Sequence, residues 1–444
     1  MSADRNGNED GVLDLVRRCV TGELPPGTGL PEEETDLLKT GLLDSMGWVG
    51  VLSALEDATG LTNVGNPWPE NLPQSIRSLV RVARESTPQS VSPLLETKTL
   101  EGTAEKPAAV RLGGWGYALG SERIEARRIE EEFGLPAGTL QLQAGIETVC
   151  RAAAGEDETV LAQRAAESAL EVAQVSLDQI RLLVVTSATF LHLPGLAATL
   201  HTRLLLPESC PALDVGGACV GLLQALAAAE ALLGTMPGGM ALVVAAEMHS
   251  RRLHPAGVPG EFGGLFGDGA CAFVLGQSSA SAGKFGEGPR FGGFVAGCSG
   301  TYSSSLRLTL QPSGELDVDF KGQQLAGAAL SELACVLERL ERQSGYSLSA
   351  VDYFAVHEPN PRLARLLAPR IKIPPEKIPL VTASCGNLGS ATLGVSLCSS
   401  LAAWRGRSSP PPPALFFLAA VAPGLLWAGT WLSFPSEVIS PPPM

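Results

Sequence analysis

The sequence predicts an α/β body preceded by a small all-helical bundle, and three observations carry this. Residues 1–90 hold 14 acidic and 7 basic side chains, so half of the net charge of −14 lies in a fifth of the 444 residues, which marks a separate domain. Residues 85–109 are polar and free of aromatics, the composition of a flexible linker. Beyond them, apolar runs of strand length alternate with helical runs, a pattern that implies a mostly parallel sheet system covered by helices.

Within the bundle the helical candidates are 11–21, 44–59 and 74–84, separated by Pro- and Gly-rich stretches. In the body, 182–186, 212–215, 240–246 and 270–275 read as buried strands, while 159–173, 194–205 and 220–233 read as helices. A second round comprises 291–298, 322–342, 353–357, 361–370, 378–382 and 390–404. Two rounds predict two similar halves, 110–275 and 276–444. The segment 414–434 is about long enough, and nearly uncharged enough, for a membrane span. Pro423-Gly424 divides it, so the reading is two buried strands, 414–422 and 425–434, joined by a tight turn. The prolines at 410–413 read as a stiff connection into them.

Hydrophobic residues make up 45% of the chain and charged residues 18%, with 50 Gly and 33 Pro, the profile of a close-packed protein with many tight turns. The acidic balance and the lack of a basic patch exclude nucleic acid as a partner, since phosphate binding needs a cationic footprint. Nine cysteines, an odd number without CxxC or Cys/His metal spacing, fit reduced thiols in a cytoplasmic compartment with no metal site. The polar segment 1–11 predicts no secretory signal. His192, His201, His249 and His254 lack metal spacing and read as surface or core-edge residues.

Three short segments carry chemistry. Asp214-Val215-Gly216-Gly217-Ala218-Cys219 ends a strand-like run in small residues, and a long apolar helix follows. There the unpaired N–H groups and positive end of the helix dipole favour thiolate, which makes Cys219 a usable nucleophile. Free cysteine is equally at home as a buried structural residue. Phe354-Ala355-Val356-His357-Glu358-Pro359-Asn360 is a strand ending in histidine, and Cys385-Gly386-Asn387-Leu388-Gly389-Ser390 is a glycine-bracketed turn before a helix. Singly, His357 reads as a hydrogen-bonded structural residue and Asn387 as a left-handed turn residue. Loops at one edge of an α/β sheet can bring the three together, and the triple points to catalysis.

Through those residues the chain resembles the β-ketoacyl-acyl carrier protein synthase III family, condensing enzymes of the thiolase fold, over about residues 110–434. The resemblance rests on DVGGACVG around Cys219, LFGDGACAFVL at 265–275, VHEPN at 356–360, CGNLGSAT at 385–392 and WAGTWLSF at 427–434. It implies two similar βα halves layered α-β-α-β-α, a homodimer formed through this domain, and Cys219, His357 and Asn387 as the catalytic triad. The backbone N–H groups of Cys219 and Gly424 would form the oxyanion hole. Asp268 would belong to a structural turn, Gly267 to Ala270, and not to catalysis.

The chemistry so implied is decarboxylative Claisen condensation of an acyl group on Cys219 with a malonyl-type thioester. Loss of CO2 leaves an enolate, to whose oxygen neutral His357 and Asn387 can each donate one hydrogen bond. Asn387 is diagnostic, because acyl transfer to a hydroxyl or amine needs no enolate hole. Such a transferase, and a non-catalytic carrier-docking subunit in which Cys219 never acylates, are the alternative readings.

In the bundle, Asp44-Ser45 before an apolar helix reads as an N-cap. The segment also resembles an acyl carrier protein over about residues 10–85, with GLLDSM at 41–46 as the attachment site, ALED at 54–57, and PENLPQSIRSLVRVA at 69–83 as the third helix. This implies a carrier domain at 1–86, a linker at 87–109, and 4'-phosphopantetheine on Ser45 placed there by a phosphopantetheinyl transferase. Gly47-Trp48-Val49-Gly50 replaces the acidic residues that usually follow the attachment serine. Docking is then either more apolar or dependent on tethering, since a linker of about 25 residues raises the effective concentration to roughly millimolar. Thr139 and Gln143 stand where the synthase family commonly keeps a tryptophan and an arginine for the adenine of coenzyme A, which favours an acyl carrier as donor. A tethered pair of this kind suits polyketide or specialised fatty-acid assembly.

Overall fold

In a computed structural model, the structure describes residues 4–25, 27–59, 68, 72–85, 110–236, 238–277, 288–300, 304–310, 316–406 and 413–434. The chain divides into two compact units, 1–106 with 321–330, and 107–320 with 331–444. The expected linker at 87–109 and most of the proline run lie outside the described residues.

The first unit holds α1 (Asp4–Glu23), α2 (Ser45–Thr59) and α3 (Ile76–Glu85), the three expected helices, with α1 beginning earlier than expected. Val16 and Val20 of α1, Trp48 and Leu55 of α2, and Ile76 and Leu79 of α3 are fully buried together. Their three- to seven-residue spacings put them on one face of each helix. Trp48 meets Trp68 edge-on with ring centroids 4.8 Å apart. Asp44 caps α2, its Oδ1 accepting the Gly47 N–H at 2.6 Å, so the cap reading of Asp44 holds and Ser45 is the first helical residue.

The second unit runs β1 (Val110–Leu119), β2 (Glu122–Glu125), α4 (Ala126–Phe133), β3 (Thr148–Arg151), α5 (Glu158–Ala173), β4 (Ile180–Thr186), α6 (Leu196–Leu204), β5 (Ala212–Asp214), α7 (Gly221–Leu233), β6 (Met240–Met248), α8 (Gly260–Gly263), β7 (Asp268–Gln277), β8 (Arg290–Phe291), β9 (Val295–Cys298), β10 (Leu306–Leu310) and β11 (Leu316–Phe320). Then follow α9 (Gly322–Ser344), whose stretch to Leu330 counts with the first unit, β12 (Tyr353–Val356), α10 (Pro361–Arg370), α11 (Thr382–Cys385), α12 (Ala391–Arg405), β13 (Ala414–Ala422) and β14 (Leu426–Phe434).

Among the described residues, ten strands form one sheet path, β12-β13-β14-β8-β1-β7-β6-β4-β5, with β9 also paired to β14. The expectation of a mostly parallel sheet is corrected. β4 is parallel to β5 and β6, and β12 to β13, but β1–β7, β6–β7 and β13–β14 are antiparallel. Antiparallel neighbours need no crossover helix, and β13 turns straight back into β14 through Pro423-Gly424. The short β8 joins the two halves, Arg290 pairing with Arg111 of β1 and with Ser433 of β14.

Period-two alternation then builds layers. Leu182 and Val184 of β4, Val243 and Ala245 of β6, and Phe416 and Leu418 of β13 share one core with α7 and α12. Leu183, Val185, Leu242 and Val244 face the other way, into a core with α5 and α6. A Cβ on Gly429 of β14 would approach Val336 of α9 to 2.8 Å, so α9 covers the outer face of the second half. Helices therefore cover both faces of one continuous mixed sheet, α7 and α12 on one and α5 and α6 on the other.

Some elements were not foreseen. β1 carries Gly114 and Gly116, poor strand formers, yet a Cβ on either would collide with the backbone of α5, so these glycines let helix and strand close up. The hairpin β10–β11 was also missed, and 378–382 is not a strand but leads into α11. The segment 414–434 is the expected strand pair, and among the described residues no helix is long and apolar enough to cross a membrane.

Asp268 opens β7 fully buried and accepts from the Ala152 N–H at 2.8 Å, the Ser250 N–H at 2.9 Å and the Ser250 hydroxyl at 2.5 Å. It ties two loops to the sheet, the structural role read for it. Asp268→Ala should destabilise the chain by about 3 kcal/mol, because a charged acceptor is removed from buried donors. Calorimetry or urea unfolding should show that loss, with Cys219 still present on a folded protein at low temperature.

Candidate active site

The chain reaches Cys219 through a strained turn. Val215 donates to Val185 O at 2.8 Å, then Gly217 adopts φ 137 and Ala218 φ 48, and the 3-10 turn Ala218–Val220 feeds α7. A side chain at positive φ costs about 1 kcal/mol or more, and such strain persists only where packing enforces it. Here Gly221 supplies the packing, since a Cβ on it would collide with the Thr186 hydroxyl at the end of β4.

The expectation that the helix N-terminus favours thiolate is corrected. The helix proper begins two residues after Cys219, while burial first, and the Glu247 carboxylate second, push the thiol up to about 12. The resting sulfur is therefore a thiol. Its proton must leave during attack, not before it.

His357 follows β12, and its N–H donates to Ala419 O at 2.9 Å, extending the β12–β13 ladder by one residue. The ring is buried, with Nδ1 lacking any partner. Burial, and then the nearby His249, pull it down to about 4, so at neutral pH the imidazole is uncharged with one N–H to give.

Asn387 lies on the turn between Gly386 (φ 74) and Gly389 (φ 55). Its N–H donates to Leu265 O at 2.8 Å and its carbonyl accepts from Gly267 N–H at 2.9 Å, which pins it beside Phe266. The side-chain Oδ1 accepts from Gly389 N–H at 2.9 Å and from the Thr392 hydroxyl at 3.2 Å. With the oxygen engaged, the carboxamide presents its N–H2 group as the remaining donor.

Glu247 and His249, at the end of β6, link these parts, and the sequence reading missed both in this role. Glu247 is fully buried and accepts from Ala188 N–H at 3.0 Å, Thr189 N–H at 3.1 Å and the Ser390 hydroxyl. A lone carboxylate inside the apolar run Met240–Met248 was the available signal, because such a group is rarely buried without a purpose. His249, read as surface or core-edge, is instead buried against Phe266 and the Gly389 turn. His192 and His254 are exposed and His201 half-buried, in keeping with their bland reading.

Gly424 occupies the β13–β14 turn with φ 79, and its carbonyl accepts from Gly300 N–H at 3.3 Å. β13 and β14 both touch the Ala218–Val220 turn, and Leu426 packs on the same cluster as Ala218, Cys219 and Leu388. Cys219, His357, Asn387 and Gly424 thus all belong to the second unit and to loops at neighbouring strand ends. Thr139 and Gln143 sit on a π-turn, Thr139–Ala144, whose first N–H groups are taken by the Glu130 carboxylate at 2.7 Å (Leu140) and 2.9 Å (Gly138). Among the described residues, no His, Cys, Asp and Glu side chains gather to hold a metal ion.

Comparison with known proteins agrees with this architecture. Residues 213–288 match the family model of 3-oxoacyl-[acyl-carrier-protein] synthase III, and residues 341–434 match that of its C-terminal part. Neither match extends into residues 1–106. The chain is 32% identical over 303 residues to 3-oxopimeloyl-[acyl-carrier-protein] synthase of Brucella abortus, covering 65% of this chain and 88% of the relative. It is 32% identical over 358 residues to the protein of the same name from Rhodothermus marinus, covering 76% and 98%. The crystal structure of 3-oxoacyl-[acyl-carrier-protein] synthase III from Aquifex aeolicus superposes with a TM-score of 0.65 at 22% identity, over 73% of this chain and 100% of that one.

The raised Cys219 thiol makes a direct prediction. Alkylation of the Cys219 peptide by iodoacetamide, followed by mass spectrometry, should accelerate about tenfold per pH unit between pH 6 and 10 without levelling off, because thiolate is the reactive form. A plateau near pH 7 would mean that the dipole prevails after all.

Proposed function

The chain belongs to the 3-oxoacyl-[acyl-carrier-protein] synthase III family, and on that premise we propose that it makes a β-ketoacyl thioester by decarboxylative Claisen condensation. The observation that carries this reading is the Asn387 carboxamide, held by its oxygen so that an N–H donor is free near a neutral histidine. Uncharged donors suit an enolate oxygen, such as the one formed when a malonyl-type group loses CO2.

In the first half-reaction the Cys219 sulfur attacks an acyl thioester, the new C–S bond forms as the donor's C–S bond breaks, and the Cys219 proton ends on the departing thiol. The backbone N–H groups of Cys219 and Gly424 would meet the oxyanion. In the second, the malonyl carboxylate leaves as CO2, and its electron pair becomes an enolate that His357 and Asn387 stabilise. The enolate carbon attacks the acyl carbonyl, the acyl C–S bond to Cys219 breaks, and the released thiolate takes up one proton from solvent. A thiol with so high a proton affinity completes that last step readily.

The first unit supports a carrier role. Ser45 begins α2 next to the Asp44 cap, the position at which the resemblance puts the attachment serine. Ser45 would hold 4'-phosphopantetheine, whose thiol carries an acyl group as a thioester, and a phosphopantetheinyl transferase would install it. The Glu130 carboxylate on the π-turn disfavours a phosphate there, which fits an acyl carrier better than coenzyme A as donor. Its nine free cysteines suit a reducing, cytoplasmic setting, and the tethered pair suits polyketide or specialised fatty-acid assembly. Homodimerisation would cover the edge strand β5 and Leu193, whose side chain is 97% exposed.

Intact and peptide mass spectrometry after phosphopantetheinylation, with a panel of monocarboxylic and dicarboxylic acyl thioesters, tests the core claim. The expected result is acyl mass on Cys219, none in Cys219→Ala, and no arm in Ser45→Ala. Asn387→Ala should lower CO2 release from a malonyl carrier by about 10²–10³, the cost of losing one such donor, while acylation of Cys219 changes little. Acyl transfer without CO2 would replace condensation by the hydroxyl- or amine-directed reading, and no acylation would leave a docking subunit. Sedimentation should find a dimer that Leu193→Asp weakens.

A further inference from the structure

His249 plays no part in the chemistry described so far, yet it touches both sides of the Asn387 turn. Its ring lies over Phe266 with centroids 4.4 Å apart, and Nδ1 stands 3.2 Å from Gly267 O. A carbonyl oxygen only accepts, so Nδ1 carries a proton and donates it to Gly267 O. The opposite edge abuts Gly389: a Cβ there would come within 2.7 Å of Cε1 and 3.1 Å of Nε2. Phe266, Gly267 and Gly389 are the residues that flank and bond Asn387, through Gly267 N–H to its carbonyl and Gly389 N–H to its Oδ1. The imidazole is thus a spacer between the two stretches of chain that fix the carboxamide. It also stands close enough for its charge to weigh on His357.

We propose that His249 is a positioning residue for the decarboxylation half-reaction, setting the depth and orientation of the Asn387 carboxamide. The Nδ1–H bond to Gly267 O fixes the ring, the ring sets the distance to Gly389, and Gly389 holds Asn387 Oδ1. Acylation of Cys219 has no need of that carboxamide, so His249 should bear on one half-reaction and not the other. The proposal rests on the condensation reading above.

The test uses the full-length phosphopantetheinylated protein as wild type, His249→Leu and His249→Asn. Cys219 acylation by an acyl thioester is followed by mass, and CO2 release from a carboxyl-labelled malonyl carrier protein is followed in parallel. Leucine keeps the packing on Phe266 but drops the bond to Gly267, whereas asparagine can place an amide N–H where Nδ1–H stands. His249→Leu should cut CO2 release about tenfold or more, since a misplacement of about 1 Å can cost up to 10² in rate, with acylation within about twofold of wild type. His249→Asn should recover most of the CO2 release. Equal loss of both half-reactions, together with a lowered melting temperature, would reduce His249 to a packing residue and overturn the proposal, as would two unaffected half-reactions. A wild-type protein that acylates but releases no CO2 would overturn the condensation reading itself, a result distinct from any difference among the variants.

Discussion

One buried carboxylate holds the site together. Glu247, at the inner end of β6, accepts hydrogen bonds from the 188–189 loop and from Ser390 at the start of α12, and its field reaches Cys219. Hydrogen bonds to a charged acceptor contribute about 1.5–3 kcal/mol each, so this single group joins the end of β4, the end of β6 and the Asn387 turn more firmly than apolar packing alone. The same charge opposes ionisation of the sulfur. Architectural need and nucleophile activation pull in opposite directions here, and the raised thiol shows which prevails at rest.

The electrostatic character of the site follows. His357 is driven toward neutrality by burial and by His249, Cys219 toward the thiol by burial and by Glu247, and Asn387 carries no charge. In the proposed reaction negative charge would develop first on an oxyanion and then on an enolate, and fixed dipoles would meet it without reorganisation. In a site of low effective dielectric such dipoles act strongly, and an uncompensated resting charge would be costly. Of the buried side-chain nitrogens and oxygens of His357 and Asn387, His357 Nδ1 is left without a protein partner.

Geometry at the turns is as exacting as the electrostatics. Gly217, Gly386, Gly389 and Gly424 all lie at positive φ, and each stands within three residues of a side chain or N–H group with a proposed role. These positions are where a side chain would force the backbone to rotate and re-aim the group next to it. Ala218, which does carry a side chain at φ 48, shows that the strain before Cys219 is tolerated because Gly221 seats α7 on β4.

Local pattern was enough for much of this protein. Apolar periodicity located most helices and buried strands, the bundle's charge asymmetry separated it from the body, and Pro423-Gly424 distinguished two strands from a membrane span, because these signals depend on near neighbours alone. The motifs around Cys219, His357 and Asn387 were legible for the same reason. Tertiary structure alone decided what depends on distant contacts. It paired β1 with β7 despite the glycines, made the sheet mixed, brought His249 against a turn 140 residues later in the chain, and raised the Cys219 thiol first by burying it and second by setting the Glu247 charge near it. Proton affinity is a sum over every neighbouring dipole, charge and lost water, and no local stretch of residues contains that sum.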